Sequence, residues 1–350
     1  MWARLAALPL VVESYGLERL EGEPMRGFEH ISTEYHLFGL GEEGVGEDIT
    51  PFAENQDPLQ AAGPYLDLAG EWTLESFCAH LASVDQWAPK PAPWPPSVRW
   101  RNWAFESAAL DLALRQAGLS LPDALGRTAR PVTFVNSLGL GDPPSAEVVT
   151  RRLERHPSVG FKLDAEETWT PEIVAALAAT GAVRTVDFKG QYGMEVKDAG
   201  ALAAVYDYVL EAFPPDVLLE DPHDLPEIAE RMRPHAARVS YDAPVVDVAS
   251  LAALPLPART INVKPTRIGS LRDLSAIYEH CAAHGIRMYG GGMGEMGLAR
   301  GQIELLAALF HPDEPNDVAP SPFNDSEPPE GLPASPLDPG TPPPGFRFTA

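Results

Sequence analysis

From Pro131 onward, eight short apolar runs alternate with segments of helical periodicity. The runs fall at 132–135, 159–162, 183–187, 217–220, 239–242, 260–264, 286–289 and 317–318. The helical segments fall between them at 146–155, 171–179, 198–213, 225–233, 246–253, 271–284 and 298–310. Parallel strands need a crossover long enough for a helix, so this rhythm predicts βα units. Eight units within about 190 residues predict a closed (β/α) TIM-like barrel. The alternative, an open doubly wound sheet, would carry a Gly-rich phosphate turn after an early strand, and none is present.

Five of the runs end in one ionisable residue each: Lys162, Asp187, Glu220, Asp242 and Lys264. A charge where a buried strand ends costs stability unless it is paired or binds something. In a parallel barrel the C-terminal strand ends share one face and carry the site. A lone Glu-Asp-Pro such as Glu220-Asp221-Pro222 is a common strand-to-loop ending, and a lone lysine after an apolar run is commonly a solvated end. The shared register on five consecutive strands is what turns them into a candidate constellation.

Asp187, Glu220 and Asp242 would converge from neighbouring strands, where three carboxylates repel unless a cation neutralises them. A hard divalent ion fits this all-oxygen set, and Mg2+ suits a few carboxylates plus water and substrate. Lys162 and Lys264 would flank the metal, and burial beside positive charge lowers a lysine's pKa toward that of a useful base. Removing a proton α to a carboxylate leaves two negative charges on an enediolate, which is the chemistry that needs a cation between two amines. The expected partner is a small carboxylate.

Residues 1–128 lack the alternation. Runs at 8–15, 31–40 and 45–50 predict a meander with Gly-rich turns between residues 39 and 46. Helical patterns follow at 73–84, with Thr73 as N-cap, and at 103–117, stopped by Gly118. Between them Pro91, Pro93, Pro95 and Pro96 predict a rigid, irregular connection. An α+β domain at 1–128 is therefore expected ahead of the barrel at 129–325. The segment 326–350 is Pro-rich and reads by composition as a linker. It ends in Gly345-Phe-Arg-Phe348, apolar enough to dock, so it is expected to pack back on the first domain.

A net charge of −24, from 50 acidic and 26 basic residues, argues against nucleic acid and anionic membranes as partners. No apolar stretch reaches the roughly 18 residues of a membrane span. Cys78 and Cys281 lie too far apart to form a motif and read as small buried hydrophobes in a reducing compartment. The opening MWARLAALPLVV has a basic residue and a short apolar run, but no small-residue cleavage site follows. A cytoplasmic protein is expected.

Across nearly its whole length the chain resembles the enolase superfamily, and within it the muconate-lactonising branch. Gly44-Val-Gly-Glu47 is similar to the Gly-x-Gly-Glu turn of that family's capping domain, and 103–112 with 119–126 to the helix joining cap to barrel. The resemblance makes Asp187, Glu220 and Asp242 the Mg2+ ligands and Lys264 the base of strand six. Gly290–Gly297 looks like the loop after strand seven, which makes Glu295 a supporting residue. The region around Pro344-Gly-Phe346 resembles the closing segment that returns to the cap. The segment 17–30 corresponds to a mobile specificity loop over the barrel mouth, where Arg19, Arg26 and His30 could hold a distal anionic group.

The departures are specific. Strand two carries Gly160-Phe-Lys162 instead of Lys-x-Lys, followed by Leu163-Asp164. Ala243 follows Asp242 where the family has Asp-Glu, and Lys189 stands where asparagine is frequent. Lys189 could neutralise Asp164 or touch substrate. What the resemblance implies is a Mg2+-dependent lyase or isomerase, with cycloisomerisation, o-succinylbenzoate-type dehydration and racemisation all open. Acid-sugar dehydration is an alternative that lacks a strand-seven histidine, and a catalytically silent binding protein is another. A homo-oligomer is left open.

Overall fold

The structure is a computed structural model that describes residues 1–25, 28–87 and 90–348. Its first part holds α1 (Trp2–Leu5), β1 (Pro9–Val12), β2 (Ser14–Met25), β3 (Phe28–Gly39) and β4 (Glu42–Asp48). Then come α2 (Ala53–Ala62), β5 (Gly70–Thr73), α3 (Leu74–Leu81), α4 (Pro95–Gln116) and α5 (Leu121–Leu125). β2, β3 and β4 form an antiparallel sheet, and β1 pairs with β5. Thr73 caps α3 through a reciprocal capping box with Ser76.

Three expectations change here. The described residues of the segment 17–30 are strand and not loop: Leu17 pairs with Tyr35 and Gly22 with His30. Its charges read as loop because β2 is the sheet's edge, where exposed Glu18, Arg19 and Glu21 protect the unpaired backbone. Gly44 and Gly46 are not turn residues but lie inside β4. A Cβ on Gly46 would come within 2.0 Å of the Ala104 carbonyl oxygen, and one on Gly44 within 2.2 Å of that of Ala108. Only bare backbone lets the strand lie directly on α4. Finally, α4 starts at Pro95, because proline is tolerated in a first turn where N–H groups lack helical partners anyway.

The barrel strands are β6 (Val135–Leu138), β7 (Gly160–Asp164), β8 (Val183–Asp187), β9 (Leu218–Glu220), β10 (Val239–Tyr241), β11 (Thr260–Val263) and β12 (Arg287–Gly290). Their helices are α6 (Glu147–Arg155), α7 (Pro171–Ala179), α8 (Ala199–Ala212), α9 (Pro226–Met232), α10 (Val248–Ala252), α11 (Pro265–Ile268), α12 (Leu271–His284) and α13 (Leu298–Phe310). The sheet runs in parallel in the order β12-β11-β10-β9-β8-β7-β6. In place of a full eighth strand, Asp317 bridges to Gly291 and Asn316 to Phe134, closing the wall. Along each strand alternate residues face the helices, among them Phe161, Leu163, Val186, Leu219, Tyr241 and Ile261, all buried in the core. The intervening residues face the barrel axis.

The Pro-rich tail is ordered. Leu337 pairs with Val132 at the foot of β6, and Gly345 pairs with Ser120. Phe346 is fully buried with its ring edge-on to Trp103 at 6.4 Å, and Arg347 holds Asp111 of α4 at 3.0 Å. Among the described residues no helix is long and apolar enough to cross a membrane.

Candidate active site at the barrel mouth

The C-terminal ends of β7 to β11 bring the ionisable side chains together. Adjacent strands place Asp164 level with Asp187, and Asp187 level with Glu220. Lys162, one inward-facing position lower on β7, is level with Thr185. Its ammonium contacts Glu220, lies 3.2 Å from Asp187 and 3.6 Å from Asp317, and is 1% exposed. Lys189, just past β8, reaches back to Asp187 at 2.6 Å and Asp164 at 3.0 Å.

A matching group forms on the next strands. Asp242 follows β10 and meets Lys264 at 2.9 Å, the Arg267 guanidinium, and the Tyr192 hydroxyl, which donates to it at 3.0 Å. Arg267 sits one turn after Lys264 on α11, which Pro265 starts. Asp221 adopts a left-handed backbone, φ 45°, and its carboxylate accepts from the N–H groups of Asp242 and Ala243 at 2.8 Å each. Such an outlier persists only where the surroundings over-determine it. Here it ties the end of β9 to that of β10.

The electrostatics follow from burial among charges. Burial pulls the Lys162 ammonium down, but Glu220, Asp187, Asp317 and Asp242 outweigh it, so its pKa stands well above the ordinary value. Burial also pulls Lys264 down, Lys162 and Arg267 add to that, and Asp242 offsets only part, so its pKa is lowered. Asp187 and Asp242 are driven up by burial but held low by their cations. Glu220, crowded by burial and by both aspartates, stands well above the carboxylate range. Tyr289, facing inward from β12, donates its hydroxyl to Glu220. Asp187, Glu220 and Asp221 each offer an oxygen within 4.8 Å of the other two, which is a buried, all-oxygen donor set of the kind a hard divalent ion takes. Asp242 lies outside that group.

Family comparisons agree with this architecture. A model described as the C-terminal domain of "Domain of unknown function (DUF8230)" matches residues 128–325, and its N-terminal counterpart matches 3–124. The chain is 26% identical over 230 residues to an o-succinylbenzoate synthase of Bacillus subtilis, covering 64% of this chain and 60% of that protein. It is 30% identical over 233 residues to an N-succinylamino acid racemase of Amycolatopsis, covering 64% and 61%. The matched stretch thus spans about three fifths of these curated relatives. A dipeptide epimerase from Methylococcus capsulatus, solved with Mg and a dipeptide, superposes with a TM-score of 0.71 at 20% identity, over 97% of this chain and all of the other. A muconate cycloisomerase from Pseudomonas fluorescens gives 0.68 at 17% identity, over 97% and 96%. The chain belongs to the DUF8230 family, is similar in sequence to these o-succinylbenzoate synthase and N-succinylamino acid racemase relatives, and shares its fold with the epimerase and the cycloisomerase.

The remaining candidates of this DUF8230 chain are placed as follows. Glu295 is buried, accepting from Thr266 of α11 at 2.6 Å and from the Met293 N–H at 2.7 Å, so it braces the turn that carries Lys264. His30 meets the Gly294 carbonyl at 2.6 Å where the cap hairpin touches the loop after β12. Arg19 is exposed and paired with Glu21 and Asp57 on the cap surface, so it is not part of the mouth. Arg26 lies outside the described residues. Sequence reasoning misses Arg267, Tyr192, Tyr289 and Asp317. The alternation that places Glu220 inward would also have placed Tyr289 inward, two residues before Gly291.

Glu47 marks the cap–barrel seam. This buried carboxylate accepts from Ser32 at 2.6 Å and from the Met296 and Gly297 N–H groups at 3.0 and 3.1 Å. Beside it, Glu34 accepts from the Leu298 N–H at 3.0 Å. Burial pushes Glu47 up to about 8, with nearby Glu295 adding to it.

Proposed function

We propose that this protein abstracts a proton α to the carboxylate of a small organic acid, as a Mg2+-dependent lyase or isomerase. The observation that carries the reading is the buried carboxylate group of Asp187, Glu220 and Asp221, with Lys162 and Lys189 against it and Lys264 on neighbouring Asp242. Asp187 and Glu220 would hold the metal. Asp242, the ligand the resemblance assigns, or Asp221, the carboxylate within reach of the other two, would complete the set. When bound, Mg2+ neutralises the charge that develops on the substrate carboxylate. Lys264, with its lowered pKa, takes the α-proton, and Glu295 and Thr266 fix the turn from which it acts. Lys162 on the opposite strand is the second amine expected from the sequence.

The cap supplies selectivity in this reading. A cavity of about 300 Å³ lies between the hairpin and the loop after β12, lined by Ile31, Ile49, Pro51, Phe52, Trp100 and Met293 among others. It suits an apolar substituent, as on an N-acylated amino acid, the class named for one relative. We also infer a cytoplasmic setting and no nucleic-acid or membrane partner, in keeping with the net charge of −24.

The test is incubation with Mg2+ and a panel of N-succinyl amino acids in D2O, read by NMR. Deuterium should wash into the α position. Calorimetry should show Mg2+ binding weakened more than about 100-fold by Glu220→Gln, since even residues behind the ligands typically contribute 10–100-fold. Metal-bound protein that exchanges no member of the panel would mark a binding protein instead.

A further inference from the structure

We propose that the second acid/base group of this site is Lys189, presented by Asp164, and that Lys162 is a buried counter-charge beneath it. This rests on the proton-abstraction reading above.

The argument begins with depth. Lys162 is rooted level with Thr185, whereas Asp164 is level with the carboxylate of Asp187. Two residues of strand separate them, about 6–7 Å along the barrel axis. The Lys162 ammonium is spent under the cluster, against Glu220, Asp187 and Asp317, with 1% of the residue exposed. A base must reach a substrate lying above the carboxylates. The Lys189 side chain, 15% exposed, is at that level.

Direction comes next. Lys189 follows the end of β8, but its pairing with Asp164 at 3.0 Å holds the amine over the end of β7. From β7 to β11 is four strands along the sheet order, and four in the other direction through the Asn316–Asp317 closure. The amine therefore faces Lys264 across the barrel axis, with Glu220 and Asp242 on the strands between them. A planar enediolate held there would present one face to each lysine.

The mounting is rigid. Lys189 has a left-handed backbone, φ 56°, which is uncommon for a side chain of its size. Phe188 and Gly190 on either side donate N–H bonds to the carbonyls of Glu220 and Asp221 at 2.9 and 2.8 Å. The Phe188 ring stacks on Tyr206 at 3.9 Å. A Cβ on Gly190 would come within 2.3 Å of the His223 backbone, so the turn is wedged in place. Groups that act in chemistry need this kind of support.

In the reaction, Lys264 as free amine takes the α-proton, and the C–H electron pair passes into the enediolate. Lys189 as ammonium then gives a proton to the opposite face, forming the new C–H bond and leaving its own amine. Exchange with water resets both lysines. In the reverse direction their roles swap.

The probes are N-succinyl-L-phenylalanine and N-succinyl-D-phenylalanine in D2O with Mg2+. Lys189→Ala should lose α-exchange of one enantiomer by 100-fold or more, and racemisation with it, while the other enantiomer still exchanges. Added methylamine should restore part of the lost exchange, which a merely structural role would not allow. Calorimetry should find Mg2+ binding of this variant equal to or tighter than wild type, because an ammonium has left Asp187. Lys162→Met, checked by circular dichroism, should change exchange of both enantiomers to the same extent, as a counter-charge shared by the whole cluster does, and not from one face alone. If Lys189→Ala exchanges both enantiomers normally, or loses both together with Mg2+ binding, the proposal is overturned. If wild type exchanges neither probe nor any member of the panel, it is the underlying proton-abstraction reading that fails.

Discussion

Two of the regions where this molecule buries carboxylates satisfy them differently. At the barrel mouth Asp187, Glu220 and Asp242 are answered by lysines and an arginine. At the cap–barrel seam Glu47 and Glu34 are answered by backbone N–H groups at the start of α13. An ammonium on a flexible stem can move aside for a metal or a substrate. A backbone N–H cannot. The mouth is therefore built so that its partners can be exchanged, and the seam so that the cap stays put over the strand-seven loop.

The largest test of this contrast removes a cation from the mouth. Lys162→Met leaves Glu220 and Asp187 short of their buried partner, and breaking such a pair costs about 3–5 kcal/mol. Urea denaturation should show that loss without metal. Saturating Mg2+ should restore more stability to the variant than it adds to wild type. Equal gains would mean that the ammonium and the metal do not share the same carboxylates.

The seam gives a smaller effect with a characteristic pH dependence. Glu47 is held at about 8 in the fold against an ordinary 4.5, so the folded state keeps an extra proton between those values. Its contribution is present in full below pH 4.5 and is lost as pH rises through 8. Over that interval the stability of wild type relative to Glu47→Gln should fall with pH, by at most about 1.4 kcal/mol per unit. A flat difference would mean that the N–H groups alone keep Glu47 ionised.

The smallest effect is expected outside both regions. Arg19 is exposed and its partners are exposed, so Arg19→Ala should leave the melting temperature and α-exchange unchanged. A change in exchange would bring the hairpin's outer face into the mouth.

The contrast also explains what the sequence discloses. The barrel is legible because each strand is a short apolar run and several helices carry their own caps, such as Thr170 before Pro171 and Ser270 before Leu271. The five strand ends are legible as a group for the same reason, since register alone puts them on one face. Which of them touch is not legible. Lys189 does meet Asp164, one of the two readings the sequence offers for it, but nothing there foretells that Lys162 reaches Asp317 or that Tyr192 meets Asp242 across 50 residues. The cap is harder still. α2 (Ala53–Ala62) has no counterpart among the helices expected from sequence, because it is pinned by polar bonds instead of an apolar face. Buried Gln56 accepts from Thr33 and donates to the carbonyls of Asp48 and Thr50.

The closure of the barrel has a consequence of its own. Where an eighth strand would stand, the backbone of Asn316 and Asp317 bonds to both flanking strands, at Thr133 and Val135 on one side and Gly290 and Gly292 on the other, and the Asn316 side chain adds to that stitching. The Asn316 amide donates to the carbonyls of Thr133, His311 and Glu314 at 2.9, 2.9 and 2.7 Å, while its oxygen accepts from the Gly290 N–H at 2.6 Å. Without those bonds β6 and β12 would become two bare edges of an open sheet. Bare edges recruit strands from other copies. Asn316 thus does for this barrel what charged or proline-bearing border strands do elsewhere, and guards the protein against edge-to-edge aggregation.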